Sequence, residues 1–253
     1  MRKILEQSGF TFTNEQLDLP SYANTLKIDV GLSVNAPQSS VWLDQDPQLF
    51  VIGFEPILAN RESIHRGDAP WPINLDPELI NNRIMIIPCA LGASEEILFM
   101  DMYVTRKDPG CSSLLRPKTF EVDYVERVSH STLSQLFQVL PWDRFPIIDH
   151  LKIDVQGGDF DVLKGADKRI CNVFAITLEV DTLEYEGTSN SLTEIKLYLD
   201  KLGFELVKTT WISRFMHRLK GYKIDVQVDD PTFINKTLKP MAKDRKFFIY
   251  QRG

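Results

Sequence analysis

LKIDVQGGDFDVLKGA (Leu151–Ala166) is the stretch on which the fold turns. Leu151, Ile153 and Val155 alternate with polar residues and include a β-branched pair, the signature of a short strand. Gly157-Gly158 ends it, since glycine enters turn conformations at low cost. Asp159 then caps or opens a helix carrying Phe160, Val162, Leu163 and Ala166. A strand, a glycine turn and a helix form one unit of an open α/β sheet. Lys152, Asp154 and Asp159 crowd its turn, where the carboxyl ends of strands in such sheets border a binding cleft.

The same alternation runs outward in both directions. Thr25–Gly31 (TLKIDVG) and Phe50–Phe54 (FVIGF) read as strands, with Glu55-Pro56 closing the second. Ser39–Leu43 and Ile57–Ile64 have helical character, and His65–Pro77 reads as a loop. Arg83–Leu91 is expected as one strand, Ile97–Tyr103 as a further strand at an edge, and Val122–Val128 as another. Thr105–Thr119 is a polar loop at the working face. Thr132–Leu140 is helical, Val173–Val180 is a buried strand, and Leu192–Leu202 is an amphipathic helix followed by Gly203. Phe204–Thr209 and Lys246–Gln251 are the last two strands expected, the final one antiparallel. KIDV occurs at 27–30, 152–155 and 223–226, but the unequal intervals speak for shared strand chemistry rather than a repeat. Strands alternating with helices predict a doubly wound, mostly parallel sheet with helices on both faces. Residues 1–24 read as an N-terminal extension and 25–253 as one domain, with no linker composition between.

Bulk composition narrows the function. The 253 residues are 43% hydrophobic and carry a net charge of −6, which disfavours nonspecific binding to nucleic acid or anionic lipid. Cys89, Cys111 and Cys171 are far apart and show no metal-ligand spacing, which fits free thiols in a reducing compartment. The N-terminus lacks a signal-peptide core and no stretch approaches a membrane span, so a cytoplasmic protein is expected. Homo-oligomerisation stays open.

Two acids mark a ligand site. Asp29-Val30-Gly31 ends the first strand, and Glu55 follows 26 residues later at the end of the second. An acid there, about 20 residues past the first turn, accepts hydrogen bonds from ribose hydroxyls in doubly wound sheets. Gly31 is followed by Leu-Ser-Val-Asn-Ala-Pro, so the GxGxxG loop that a pyrophosphate needs is missing. A ribose acid without that loop favours an adenosine ligand without phosphates, such as S-adenosylmethionine.

FVIGFEP, PCALG, CSSL, STLSQLF, LKIDVQGGDFDVLKGA and ITLEV occur in the order seen in FkbM-type S-adenosylmethionine-dependent O-methyltransferases, which the chain resembles over roughly residues 25–207. The resemblance implies a class I methyltransferase fold: a Rossmann-like, seven-stranded sheet with an antiparallel last strand. It implies that Asp29 and Gly31 border the methionine end of the cofactor and that Glu55 is the ribose acid. Ala90 and Leu91 would lie near adenine, Ser113 on a loop over the cofactor, and Asp154 near the reacting methyl. It implies a hydroxyl acceptor on a sugar, glycan or small metabolite. The chain departs from the pattern at Gln156, where the family has glutamate, at Leu32–Ala36, and at Ser134.

Methyl transfer to a hydroxyl needs a proton acceptor. Asp154 is expected to orient the acceptor hydroxyl or the cofactor ammonium, with Asp159 or Glu179 as base. For Lys152 a salt bridge to one of these acids is favoured over a base role. His130 is the histidine best placed for base chemistry, ahead of His65, His150 and His217. Trp211–Lys223, with four cations beside aromatics, suits a sugar face, a membrane surface or plain packing. A binding module that has lost its chemistry and an RNA methyltransferase are the rival readings, the latter opposed by the acidic balance. No residue set calls for a metal.

Overall fold

The computed structural model describes residues 1–188, 190–208 and 230–239. The chain opens with helix α1 (Arg2–Gln7) and a small hairpin of β1 (Phe12–Thr13) and β2 (Gln16–Leu17). Then follow β3 (Thr25–Val30), α2 (Pro37–Gln45), β4 (Leu49–Phe54), α3 (Leu58–Arg66) and β5 (Ile84–Ile87). Next come β6 (Ala90–Leu91), β7 (Phe99–Thr105), β8 (Val122–Ser131) and α4 (Leu133–Phe137). The last part holds β9 (Ile148–Ile153), α5 (Asp159–Lys164), β10 (Val173–Leu178), α6 (Leu192–Lys201), β11 (Phe204–Lys208) and β12 (Thr232–Asn235).

Among the described residues, seven strands form the main sheet in the order β11-β12-β10-β9-β3-β4-β5. Every described pairing is parallel except those of β12, which runs antiparallel to both β10 and β11. This is the mostly parallel, doubly wound sheet that the sequence predicts, and it contains a reversed strand as the family resemblance implies, though at another place in the chain. The reversed strand is Thr232–Asn235; Lys246–Gln251, like Trp211–Lys223 and His217, lies outside the described residues.

β4 (LFVIGF) is buried along its whole length, as a central parallel strand covered on both faces must be. Its alternate side chains feed two cores. Phe50, Ile52 and Phe54 belong to the core cluster that also holds residues of α4, α5 and α6, while Leu49 and Val51 belong to a second cluster with Trp42 and Leu43 of α2 and Ile64 of α3. β9 (IDHLKI) is equally buried although half polar. It tolerates this because each polar group is answered. Asp149 accepts the Leu26 N–H (3.1 Å), and His150 meets the Thr177 hydroxyl (2.9 Å). Burial, with Lys27 nearby, pushes His150 down to about 3 and keeps it neutral.

Two expectations need correction. Arg83–Leu91 is not one strand. Pro88, which has no N–H to give to a ladder, stands between β5 and β6. β6 leaves the main sheet and pairs in parallel with His130 and Ser131. Ile97–Tyr103 and Val122–Val128 likewise fall in this separate three-stranded sheet, ordered β6-β8-β7. The helix expected over Thr132–Leu140 shrinks to Leu133–Phe137, capped by the Thr132 hydroxyl on the Gln135 N–H (3.2 Å).

The first 24 residues are tied to the main core. Leu5, Phe10, Leu17 and Leu19 are buried in the cluster that contains Phe50 and Met85. The Arg144 guanidinium donates to the carbonyls of Leu19 (2.6 Å) and Ala23 (2.7 Å). Leu5→Ala is expected to lower the unfolding free energy by about 2–5 kcal/mol in a urea titration, as for other core leucines. A loss below about 0.5 kcal/mol, typical of surface sites, would detach this segment from the core.

Candidate functional site

In the sheet order, β3 is followed in sequence by β4 on one side and flanked by β9 on the other. That reversal opens a crevice beyond the carboxyl ends of β3 and β9, the usual place for a ligand in this architecture. A cavity of about 670 Å³ lies there, a volume typical of small-molecule sites. Strand ends wall it: Val30 and Gly31 at the end of β3, Glu55 after β4, Lys152, Asp154, Val155 and Gln156 at the end of β9, and Glu179 after β10.

Gly31 (φ +87°) sits where no side chain fits, because a Cβ there would lie 1.9 Å from the Asp154 carbonyl oxygen. The rest of this turn lacks glycines, and Ser33 (φ +58°) and Ala36 (φ +46°) adopt left-handed conformations instead. Such a turn gives no series of glycines for close approach to a pyrophosphate.

Glu55 is 3% exposed and lines the cavity. Its Oε1 accepts the Ile57 N–H (3.0 Å) and the Asn60 side-chain amide (3.2 Å). Burial pushes its carboxyl up to about 7, only partly opposed by these donors. Ala90 and Leu91 line the wall beyond β4, together with Ile57, Met102 and Leu114. A carboxyl group that accepts hydrogen bonds beside an apolar slot has the chemistry to take a hydroxyl-bearing ring and a flat base.

On the other side the register sets Asp29 opposite Lys152. Lys152 donates to the Gly31 carbonyl (2.7 Å) and pairs with Asp29 (3.3 Å) and Asp154 (3.5 Å), all three side chains being nearly inaccessible. Burial alone would lower the Lys152 ammonium, but Asp29 and Asp154 outweigh it and hold it above its ordinary range. Lys152 is thus engaged as the cation of a buried ion-pair cluster. Asp29 does not line the cavity; its Oδ2 accepts from the Ser39 hydroxyl (2.6 Å), and it acts behind the wall by holding Lys152.

Two further expected residues also stand behind the wall. Asp159 is fully buried and folded back on its own turn, accepting the N–H groups of Gly157 (3.1 Å) and Val155 (3.4 Å). Burial and the nearby Asp154 charge raise its carboxyl well above the usual range. It is absent from the cavity lining and caps the turn from behind. Ser113 donates to the Gln156 carbonyl (2.8 Å) and pins the 105–117 segment to the β9 turn, while its neighbours Ser112 and Leu114 line the cavity. His130 meets the Ile97 carbonyl (2.9 Å) and is not among the lining residues.

Of the expected residues, Gly31, Glu55, Ala90, Leu91, Lys152, Asp154 and Glu179 therefore share one cavity. Asn60, Trp71, Phe120 and Tyr185 join them without having been expected. Asn60 lies on α3 within reach of Glu55, and that spacing could have signalled it. Trp71, Phe120 and Tyr185 come from irregular segments, where sequence periodicity is silent. Among the described residues no group of three or more His, Cys, Asp or Glu could hold a metal ion, and no helix is long and apolar enough to cross a membrane.

The family model described as the methyltransferase FkbM domain matches residues 44–206. No curated protein matches the chain. Among solved structures, it is similar to the methyltransferase FkbM from Methylobacillus flagellatus KT, at 14% identity and a TM-score of 0.45, over 90% of this chain and 47% of that one. It thus spans about half the length of that protein. It is also similar to an antibiotic related methyltransferase, at 12% identity and a TM-score of 0.34, over 88% of this chain and 96% of that one.

Proposed function

The chain belongs to the FkbM methyltransferase family, and from that premise we propose that it moves a methyl group from S-adenosylmethionine to a hydroxyl oxygen of a sugar, glycan or small metabolite. The observation that carries the reading is the cavity at the sheet reversal, with Glu55 at one end and Asp154 and Glu179 at the other. When bound, the cofactor supplies an electrophilic methyl on a sulfonium.

The chain's own residues do the rest. Glu55 accepts the ribose hydroxyls, and the slot at Ile57, Ala90 and Leu91 takes the adenine. Asp154, steadied by Lys152, receives the ammonium of the methionine part. Glu179 takes the proton of the acceptor hydroxyl, since Asp159 is turned away and Lys152 stays charged. Holding the acceptor oxygen in line with the methyl supplies much of the rate. A reducing, cytoplasm-like compartment belongs to the same proposal, as Cys89, Cys111 and Cys171 form no disulfide.

Calorimetric titration with S-adenosylhomocysteine tests the cofactor, and mass spectrometry of candidate glycans for added methyl groups tests the acceptor. Protein that binds no S-adenosylhomocysteine would refute the reading. The pH dependence is diagnostic. Free Glu55 titrates at about 7, and only its carboxylate accepts from both ribose hydroxyls. Affinity is therefore expected to fall about tenfold per pH unit below about 7 and to level off above it. Glu55→Gln should bind more weakly above pH 7 and show no such slope. A flat wild-type profile would remove Glu55 from the ribose site.

A further inference from the structure

Gln156 occupies a position where glycine is the easier residue. Its φ is +58°, and that of Gly157 beside it is +96°. A side chain retained in the left-handed region at such a turn points to work done by the side chain. Here both polar atoms of the amide are engaged. Nε2 donates to Oδ1 of Asp154 (2.8 Å) and to Oε2 of Glu179 (3.2 Å). Oε1 accepts from the Tyr185 hydroxyl (2.9 Å), which also lies 2.8 Å from the Cys111 carbonyl oxygen and shares its one proton between them. Turning the amide over would set Oε1 against two carboxylates, so its orientation is fixed from both ends. Gln156, Asp154, Glu179 and Tyr185 all line the cavity.

We propose that Gln156 is a positioning residue whose amide holds the Glu179 carboxylate in one orientation beside Asp154, ready for the acceptor hydroxyl. The role rests on the methyl-transfer reading of the cavity. The hydroxyl proton passes to a Glu179 oxygen, and its bonding pair stays on the acceptor oxygen. The amide gives one N–H to each acid, which lets two like charges stand together. Its neutrality also separates it from the glutamate expected at this position, which would add a third charge. Among the described residues, the titratable groups near this end include Lys152 on β9, Tyr185 and Glu184 after β10, Cys111 on the 105–117 segment, Asp230 before β12 and the buried Asp159. Lys152 is paired with Asp29 and Asp154.

The test is a titration of Glu179 itself. Protein carrying carboxyl-labelled glutamate is followed by carbon NMR, with the Glu179 signal assigned by its loss in Glu179→Gln. The midpoint is expected to rise by about one pH unit or more in Gln156→Gly, which removes both donors and relaxes the backbone. In Gln156→Glu, which adds a charge, it should rise further. An amide that merely ties the turn would change the melting temperature of Gln156→Gly and leave the midpoint where it was. An unmoved midpoint in folded Gln156→Gly that still binds S-adenosylhomocysteine overturns the positioning role alone. Wild-type protein that fails to bind S-adenosylhomocysteine overturns the methyl-transfer reading, and the acceptor's part in the proposal with it.

Discussion

Lys152→Met is expected to cost about 3–5 kcal/mol of folding stability, the usual consequence of removing one partner from a buried ion pair. Lys152 is the cation between Asp29 and Asp154, with side-chain exposures of 7%, 1% and 6%. Without it two carboxylates lie side by side with no counter-charge, and the Gly31 carbonyl loses its donor. The pH dependence follows from the direction of the carboxylate shift. Burial already raises Asp29, and losing Lys152 raises it more. A carboxyl raised in the folded state gives stability below its unfolded value of about 3.9 and loses it as pH rises through the folded value. The deficit of Lys152→Met should therefore be larger at pH 8 than at pH 5. Urea unfolding at the two pH values measures it. Adding Asp29→Asn should recover part of the loss, because one of the stranded charges is then gone. A deficit below 1 kcal/mol at pH 8 would mean that the cation is not what holds this end of the sheet.

Gly31→Ala is the second large effect. Two costs add at this residue. Its φ of +87° disfavours any side chain, at about 1–2 kcal/mol. The new Cβ would also lie 1.9 Å from the Asp154 carbonyl oxygen, so the ends of β3 and β9 must part, at about 1–3 kcal/mol. They cannot part freely. The Asp154 N–H donates to the Val30 carbonyl and the Gly31 N–H to the Phe54 carbonyl, both at 3.0 Å. Gly203→Ala is the control: its φ is +88°, and a Cβ there meets nothing within 4 Å. Thermal and urea unfolding should show the full loss at Gly31 and only the backbone part at Gly203. S-adenosylhomocysteine binding should fall at Gly31 alone. Equal losses in the two variants would mean that contact with Asp154 carries no weight.

Much of the main sheet was legible because its strands carry their burial in their own letters. FVIGF can only be a strand covered on both faces, and TLKIDVG and VFAITLEV announce themselves in the same way. The fate of Ala90-Leu91 was not legible. Pro88 marks a break, but which strand the next residues pair with depends on β8, some 40 residues further on. β12 escaped notice because TFIN is four residues long and sits in polar surroundings. At the site, residue type and place past a strand end found Glu55, Asp154 and Glu179. They did not tell which way a carboxylate turns. Asp159 and Ser113 have the expected chemistry but spend it on neighbouring backbone groups. Tyr185 and Phe120 reach the cavity through tertiary packing of irregular chain, which leaves no local period to read.

The central pair of the sheet, β3 and β9, joins segments more than a hundred residues apart; the Leu26 N–H meets an Asp149 oxygen across 123 positions. Pairing of this kind must first overcome the entropy of closing a long loop, so it forms slowly and late. The crevice has no floor until that closure occurs. Its walls are thus among the last surfaces to be completed as the chain folds. A ligand that binds only the completed crevice acts as a latch on the closure. At a hundred times its dissociation constant it adds about 2.7 kcal/mol to the folded state. Refolding in the presence of S-adenosylhomocysteine should therefore leave the folding rate nearly unchanged and slow unfolding, so that cofactor supply sets the lifetime of the folded chain.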